Sequence, residues 1–293
     1  MSDIKLISGI EEIINNYDLF ILDQWGVMHN GKKGYDAAIE CVEFLKKKNK
    51  EMVIISNSSK RKKTTIERLP LLGFNKDYFS EVMTSGEMIW QSLTNLDYKF
   101  TRNLKKNCFH IYDTSNYENK SFIDGLDKYN FVNDLNNADF ILGCSPEKGF
   151  KTLDYIPILT KALEKKLPFI CANPDFITIE QDLSGFLICM GSVAELYKKI
   201  GGEVFILGKP EIDIYKRSTL NLKNFDKSKT IAIGDSLDHD IKGANLFGID
   251  SLLITSGIHR LNFHKNKPTW NSNINKLKNI TNFPTFLCSE FKL

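Results

Sequence analysis

Short apolar runs alternate with amphipathic stretches along most of the chain. The run LFIL at 19–22 precedes YDAAIECVEFLKKKN, whose apolar residues recur at the three- and four-residue spacing of a helix. The alternation continues through EMVIISN, KTTIERLPLLG and EVMT, and it returns in VFILGKP, EIDIYKRSTL, TIAIGDS, DIKGANLFG and DSLLITSG. Strands that are apolar throughout are typical of a parallel sheet covered by helices on both faces. The pattern therefore predicts an α/β fold.

The middle of the chain repeats this pattern as a separate unit. The runs CFHIYD, ADFILGC and FICANPD, with the helix-like YIPILTKALEKK, predict a second α/β domain inserted between strands of the first. The Asn- and Asp-rich segment 113–137 is expected to be surface helix and loop. From about His264 we expect a loop, a helix and an edge strand, with Trp270 and Phe286 as packing residues. The predicted division is 1–84 for the first part of the core, 85–203 for the inserted domain and 204–293 for the second part of the core.

Composition and charge narrow the class of protein. Of 293 residues, 42% are hydrophobic and 26% charged, which is ordinary for a soluble globular chain, and the net charge of +3 is too weak to indicate nucleic acid or membrane as a partner. The six cysteines are scattered without a CxxC pair, as expected for reduced, buried thiols. No apolar run approaches the length of a membrane span, and MSDIKLISG lacks the apolar core of a signal peptide. A cytoplasmic location is expected.

Polar residues end several of the apolar runs. Asp23 follows LFIL, Ser56 and Asn57 follow MVII, Asp235 follows TIAIG, and Lys209 follows VFIL after one glycine. One such residue is best explained as a turn or a helix cap. Four of them fit a site better, because ligands bind beyond the carboxyl ends of the strands in such sheets. We expect these side chains to meet at one edge of one sheet.

These residue types together suit phosphoryl transfer. A carboxylate such as Asp23 can attack phosphorus and form an aspartyl-phosphate that water then hydrolyses. The phosphoryl group is an anion, so the attack needs cations, which Lys209 and a Mg²⁺ ion would supply. Asp23, Asp235 and the main-chain carbonyl of Trp25 fit the oxygen ligands that Mg²⁺ prefers. Hydrogen bonds to the phosphoryl oxygens are expected from Ser56 and from the backbone N–H groups around Asn57 and Ser58.

Four segments in order, LFILDQWGV, VIISN, GKP and IAIGDSLDHDIKGA, resemble the motifs of the haloacid dehalogenase-like superfamily. The segments TSGEM, ANPD and MGSVAELYKKIGG, and the spacing of Asp235 and Asp240, are similar to its capped class IIA branch, which includes NagD-like and 4-nitrophenyl-phosphatase relatives. The resemblance covers about 15–260. It implies a Rossmann-like parallel-sheet core with an inserted α/β cap domain.

The resemblance also implies a role for each matching residue. Asp23 would be the nucleophile and a metal ligand, Ser56 would bind phosphate, and Lys209 would hold nucleophile and phosphate together. Asp235 would bind Mg²⁺, the implied cofactor, and Asp240 would lie in the outer shell of the metal. Asn57 and the NPD turn with Asp175 would shape the substrate end. For Asp240 the alternative is an acid in the first turn of a helix, where it stabilises the helix dipole.

Trp25 departs from the family pattern, which usually has a second Asp at this position as the general acid and base. The carbonyl of Trp25 can still bind metal, but its side chain has no proton to give. Three explanations remain open. The chain is a hydrolase selective for good leaving groups, or His29 or His239 supplies the proton, or the chain binds a phosphorylated metabolite as a sensor or interaction partner. Other superfamily chemistry, such as phosphonate cleavage or dehalogenation, is a further alternative. A Mg²⁺-dependent hydrolase is favoured.

The size of the cap indicates the class of substrate. A cap of about 120 residues suits small phosphorylated metabolites better than proteins, because its closure controls access and excludes water. Sugar phosphates are the substrate class that the resemblance most often implies. His110, Asp175 and the loop near Glu147 and Lys148 are candidate contributors from the cap. The stretch GSVAELYKKI is suited either to packing within the cap or to the interface of a homodimer.

Overall fold

The computed structural model describes residues 4–116, 120–179, 186–260 and 282–293. Its strands, in chain order, are β1 (Lys5–Leu6), β2 (Leu19–Leu22), β3 (Glu51–Ser56), β4 (Glu81–Thr84), β5 (Asn107–Ile111), β6 (Asn130–Phe131), β7 (Phe140–Gly143), β8 (Phe169–Cys171), β9 (Ile177–Ile179), β10 (Phe186–Ile188), β11 (Val204–Ile206), β12 (Thr230–Gly234), β13 (Asp250–Ile254) and β14 (Phe286–Cys288). The α-helices are α1 (Asp36–Lys47), α2 (Lys62–Arg68), α3 (Ser85–Asn95), α4 (Lys99–Arg102), α5 (Ile156–Glu164), α6 (Met190–Lys199), α7 (Ile212–Thr219) and α8 (Lys242–Phe247).

The larger sheet has seven parallel strands in the order β1-β14-β13-β12-β2-β3-β4. Successive side chains of a strand point to opposite faces, so Phe20 and Leu22 pack on the side of α1, whereas Leu19 and Ile21 pack on the side of α3, α7 and α8. Every residue of β2 is buried. The predicted α/β fold with a Rossmann-like parallel core is therefore confirmed.

The smaller sheet belongs to the inserted cap. Its five parallel strands lie in the order β11-β8-β7-β5-β6, and β9 and β10 form a separate antiparallel pair. Helix α6 buries Val193, Ala194 and Tyr197 in the core of the cap. The apolar face of GSVAELYKKI is therefore used for packing within the cap.

One strand lies in a different sheet from the one expected. The run VFIL was expected to bring Lys209 to the edge of the larger sheet, but β11 pairs with β8 in the smaller sheet. The cap sheet thus extends to Ile206, past the expected boundary at 203. A run of three apolar residues fits either sheet equally well, and which partner it pairs with is decided by the path of the chain.

The chain passes between the two sheets twice, after β4 and after β11. At these crossings the Ser85 hydroxyl donates a hydrogen bond to the carbonyl of Leu207. One apolar cluster joins the sheets, because Leu19 and Ile21 of the larger sheet and Phe140 and Leu142 of the smaller sheet belong to it. Core and cap are therefore packed together through helix α3, whose residue Met88 is part of the same cluster.

Two further expectations need correction. The segment 113–137 was expected to be surface only, but it contains β6, and its described part buries Phe122, Leu126, Tyr129 and Leu135 in the cap. These apolar residues are spaced too irregularly among Asn and Asp to form a recognisable pattern. The C-terminal strand β14 lies one place inside the edge, because β1 pairs with it. Phe286 is buried as predicted, whereas Trp270 lies outside the described residues.

Two general expectations can be compared with the structure. All six cysteines are buried and none is in a disulfide, as the scattered spacing predicts. Within the described ranges, no helix combines the length and the apolar character that crossing a membrane requires.

Candidate active site

Three carboxylates meet beyond the carboxyl ends of β2 and β12. Asp23 follows β2 directly, and its N–H donates to the carbonyl of Ile233 in β12 at 2.9 Å. Asp235 follows β12, and Asp240 lies in the turn of π-helix at Leu237–Ile241. One oxygen from each of these three buried aspartates lies within 4.8 Å of the others. The predicted convergence of Asp23 and Asp235 is thus present in the fold.

Lys209 lies between two of these carboxylates. Its Nζ is 2.5 Å from Asp23 Oδ1 and 2.5 Å from Asp240 Oδ1, and the lysine is only 3% exposed. Burial by itself lowers the pKa of the Lys209 ammonium, but the two carboxylates outweigh burial and raise the pKa well above its usual value. Lys209 is therefore charged, although it enters the site from the last strand of the cap.

Asn57 holds the backbone of Lys209 at this position. The Lys209 N–H donates to Asn57 Oδ1 at 2.7 Å, and Asn57 Nδ2 donates to the Lys209 carbonyl at 3.1 Å. Both contacts are buried, so the side chain after β3 acts as a clamp on the residue that carries the ammonium. This pairing ties Lys209 to the larger sheet, although β11 belongs to the smaller one.

The cluster has three carboxyl groups and one ammonium group. Burial raises the pKa of both Asp23 and Asp235, with Lys209 opposing the shift. Asp235 Oδ2 accepts a hydrogen bond from the N–H of Ile258 at 2.9 Å, which fixes this carboxylate. Three carboxyl groups outnumber the single ammonium, so a bound cation would balance their charge. A set of hard oxygen donors suits a divalent ion such as Mg²⁺. The donor set therefore fits the implied metal.

Glycines make space for the carboxylates. A Cβ at Gly26, whose φ is +78°, would lie 2.0 Å from Asp235 Oδ2, and a Cβ at Gly257 would lie 2.1 Å from the same atom. A Cβ at Gly234 would lie 2.1 Å from the carboxyl carbon of Asp240. Sequence reasoning did not identify the roles of Gly26 and Gly257. The signal that could have identified them is a glycine that follows shortly after an apolar strand, in DQWG and in ITSG.

Asp240 supports Lys209 from a defined position. Its Oδ2 accepts from the N–H of Ser236 at 3.0 Å, and its main-chain carbonyl accepts from the hydroxyl of Tyr215 at 3.3 Å. It lies in the turn of π-helix that precedes α8, and the first turn of α8 itself contains no acid. The contact with Lys209 shows that it does more than cap a helix. The contribution of Tyr215 was not predicted from the sequence.

Ser56 ends β3, and Asn57 directly after it contacts Lys209 of the cluster. Ser56 is buried, and its hydroxyl accepts from the N–H of Ser58 at 3.2 Å. Asn57 Nδ2 also donates to Asp175 Oδ1 of the cap at 2.8 Å. Asp175 in turn lies 3.1 Å from His239 Nδ1, whose ring is 5.7 Å from that of Phe176. The NPD turn of the cap is therefore in contact with two parts of the core.

A cavity of about 210 Å³ opens at the carboxylates. Its lining includes Asp23, Asp235 and Asp240, Lys209, Trp25, Asp175, His239 and His259. His259 was not considered from the sequence. Its Nε2 accepts from the N–H of Leu237 at 3.2 Å, and burial lowers its pKa.

The two histidines considered as proton donors differ in position. His239 lines the cavity, whereas His29 is buried outside its lining. His29 Nδ1 accepts a hydrogen bond from the N–H of Gly31 at 3.0 Å. Burial, assisted by the charge of Arg68, lowers the pKa of His29 to about 4. His29 is therefore neutral near pH 7 and poorly suited to giving up a proton.

Other candidates from the cap lie apart from the cavity. His110 Nε2 is 3.3 Å from Cys144 Sγ, and its ring stacks on Tyr112 with centroids 4.5 Å apart. Glu147 accepts hydrogen bonds from the N–H and the hydroxyl of Thr114. Neither His110 nor the pair Glu147 and Lys148 is among the residues that line the cavity at the carboxylates. Of the cap candidates, the structure brings Asp175 to it.

Comparisons with known proteins agree with this architecture. A family model described as haloacid dehalogenase-like hydrolase matches residues 20–116, and a second HAD-hydrolase-like model matches 206–277. Dihydroxyacetone phosphatase of Corynebacterium glutamicum is 26% identical over 82% of this chain and 81% of its own. A haloacid dehalogenase-like hydrolase of Brucella suis superposes with a TM-score of 0.81 at 25% identity, covering 97% and 99% of the two chains. NagD of Escherichia coli superposes with a TM-score of 0.62 at 17% identity, covering 94% and 97%.

A parallel core, an inserted cap and a buried carboxylate cluster at the strand ends define a capped α/β hydrolase. The chain belongs to the haloacid dehalogenase-like hydrolases, and it shares its fold with NagD. Its family is accordingly one of hydrolases.

Proposed function

We propose that this protein hydrolyses small phosphomonoesters through an aspartyl-phosphate on Asp23. The observation that carries the proposal is the contact of Asp23 with Lys209 at 2.5 Å inside a buried cluster of aspartates. Burial raises the pKa of Asp23, Lys209 counteracts part of this shift, and its ammonium places a positive charge where phosphoryl oxygens would lie.

The reaction has two steps. In the first, an Asp23 carboxylate oxygen bonds to phosphorus, the bond from phosphorus to the leaving oxygen breaks, and that oxygen takes up one proton. In the second, water attacks phosphorus and the bond to Asp23 breaks, which releases inorganic phosphate and one proton. Lys209 orients Asp23 in both steps, and Ser56 with the backbone around Asn57 and Ser58 would bind the phosphoryl oxygens.

The residues that would hold Mg²⁺ are Asp23, Asp235 and the carbonyl of Trp25, with Asp240 in the outer shell. Such an ion, when bound, neutralises charge on the phosphoryl group. The protein itself fixes Asp235 through the N–H of Ile258 and holds Asp240 against Lys209. Both contacts support a cluster that is ordered before substrate arrives.

The leaving oxygen needs a proton that Trp25 cannot supply. Of the two histidines considered, His239 is the one that lines the cavity, and its contact with Asp175 orients the ring. We infer that His239 gives this proton. The variant His239→Gln should then slow esters of ordinary alcohols by about 10²-fold or more, while 4-nitrophenyl phosphate, whose leaving group needs no proton, keeps its rate. Equal loss for both esters would exclude this role.

The substrate is expected to be a small metabolite. The catalytic cavity of about 210 Å³ lies under the NPD turn of the cap, which limits the size of the group that fits. The similarity to a dihydroxyacetone phosphatase supports a small phosphorylated metabolite, and sugar phosphates are the class to test first.

The test is phosphate release from a panel of sugar monophosphates and 4-nitrophenyl phosphate, with Mg²⁺ and with EDTA. We expect release that requires the cation and disappears in Asp23→Asn. Asp36→Asn is the matched control, because the Asp36 side chain is 78% exposed and pairs only at the surface with Lys33. If the wild-type protein releases no phosphate from any ester, hydrolysis is excluded and binding without turnover becomes the better account.

A further inference from the structure

A second cavity of about 290 Å³ adjoins the catalytic one. Trp25, Asp175 and Thr178 line both cavities, so Trp25 lies where the two meet. The second cavity is formed by residues of the core, such as Ser58 and Arg68, together with residues of the cap.

The loop at 29–31 fixes the orientation of the indole. A Cβ at Gly31, whose φ is +88°, would lie 2.2 Å from Cη2 and 2.4 Å from Cζ3 of Trp25. The six-membered ring therefore packs directly on the Gly31 backbone. The His29 ring lies edge-on to it, with centroids 5.2 Å apart at 73°. Trp25 is thus held on two sides.

This loop is itself anchored at several points. His29 Nδ1 accepts from the Gly31 N–H, and Arg68 Nη2 donates to the Gly31 carbonyl at 3.1 Å. Asn30 Oδ1 accepts from the N–H groups of Lys32 and Lys33 at 3.0 and 2.9 Å. The support explains why a buried, neutral His29 follows Trp25: it is a positioning residue for the indole.

The lining of the second cavity indicates what it binds. Hydroxyl, amide and carboxylate groups of Ser58, Asp113, Ser145 and Asn173 face it from core and cap. Two acidic and two basic side chains line it, so their charges balance and do not favour a second phosphate. At about 290 Å³ the cavity is at the lower end of the roughly 300–1,000 Å³ of typical ligand sites. Pro146, Leu187, Ile188 and Cys189 add apolar surface, so a small neutral group with both hydroxyl and C–H groups matches this size and mixed polarity.

We propose that Trp25, held by His29 and Gly31, is the specificity-determining residue and forms one wall of a site for a neutral, polyhydroxylated leaving group. The apolar face of the indole packs against the C–H groups of the ligand, and the polar residues opposite bind its hydroxyls. This inference rests on the proposed phosphatase function for the position of the phosphoryl group. It accounts for an aromatic residue where the family has an acid.

The experiment measures binding separately from turnover. Calorimetric titrations with Mg²⁺ use two proteins, the single variant Asp23→Asn and the double variant that also carries Trp25→Ala. The ligands are dihydroxyacetone phosphate, ribose 5-phosphate, glucose 6-phosphate and inorganic phosphate. We expect at least one sugar phosphate to bind more tightly than inorganic phosphate, and Trp25→Ala to weaken it tenfold or more while inorganic phosphate binds unchanged. His29→Gln should weaken the same sugar phosphate by a smaller factor and change the fluorescence of Trp25. Trp90→Phe, an aromatic substitution outside both cavities, is the matched control.

Two results would overturn the inference. One is that no sugar phosphate binds more tightly than inorganic phosphate, and the other is that Trp25→Ala leaves the ratio of the two affinities unchanged. Phosphate release by the wild-type protein tests the proposed function independently. A sugar phosphate that binds through Trp25 but is not hydrolysed would refute the function and retain the inference. If the wild-type protein hydrolyses the ester rapidly and the affinity ratio does not depend on Trp25, the proposed function is retained and the inference is refuted.

Discussion

Replacing Gly26 by alanine tests whether Asp235 binds the metal. The added Cβ would lie 2.0 Å from Asp235 Oδ2, whereas such contacts are essentially never shorter than 3.0 Å. Either the carboxylate or the backbone must therefore move by about 1 Å. Metal ligands tolerate displacements of only about 0.2 Å, so the substitution should remove Asp235 from any coordination shell. We expect affinity for Mg²⁺ to fall by at least about 10–100-fold, the loss typical of disturbing even an outer-shell partner.

Backbone strain has to be separated from this effect. Gly26 has φ of +78°, and a residue with a side chain pays roughly 1–2 kcal/mol in this region. Gly149 has φ of +85°, and no atom lies within 4 Å of the place that a Cβ would take, so Gly149→Ala carries the strain without the contact. In chemical denaturation Gly149→Ala should show the loss of stability due to strain alone, and Gly26→Ala should lose at least as much, because it adds the contact with Asp235. Only Gly26→Ala should lose Mg²⁺ affinity in calorimetric titration, and a Gly26→Ala protein that binds Mg²⁺ like the wild type would refute Asp235 as a ligand.

Three further predictions concern charged groups. Lys209→Met leaves two buried carboxylates without their partner, so the free energy of unfolding in chemical denaturation should fall by about 3–5 kcal/mol; an unchanged value contradicts the ion pairs. Asp175→Ala removes a half-buried acceptor between cap and core, and the KM for small phosphomonoesters should rise about tenfold or more; an unchanged KM would show that the turn does not shape the site. Burial lowers the pKa of His110 to about 4 from 6.5. The folded state thus binds fewer protons than the unfolded state between pH 6.5 and pH 4. The contribution of His110 to the free energy of unfolding is fully present above pH 6.5 and is lost as the pH falls towards 4. Between pH 7 and pH 5 the wild type should lose about 2 kcal/mol more stability than His110→Phe; parallel pH profiles would contradict the shift.

The sequence contains enough information to predict the core and part of the site. Runs such as LFIL and TIAIG mark strands buried on both faces, and parallel strands share one carboxyl edge. Asp23 and Asp235, which follow these two runs, were therefore expected to meet, and β2 and β12 are neighbours in the sheet. Local pattern suffices here because strand, edge and carboxylate are contiguous in the chain.

Other features depend on contacts between distant segments. The strand that precedes Lys209 belongs to the cap sheet. The position of Lys209 beside Asp23 therefore depends on Asn57, which is far from Lys209 in sequence. The space that Gly26 leaves for Asp235 is equally non-local. The position of His29 behind Trp25 follows from a turn at Gly31 that no periodicity predicts. Such contacts are set by the path of the chain and have no local signature.

The hydrogen bond from Ser85 to Leu207 has a consequence for how such enzymes diversify. It ties together the two points at which the chain leaves the core and returns, and Asn57 then fixes Lys209 immediately beyond the return point. Lys209 is thus held in place by the core although the preceding strand belongs to the cap. An insertion of different size or sequence between these two points would leave the lysine in place, provided that it kept an apolar face for Leu19 and Ile21. New substrates can therefore be acquired by exchanging the insertion, while the reaction centre is inherited intact.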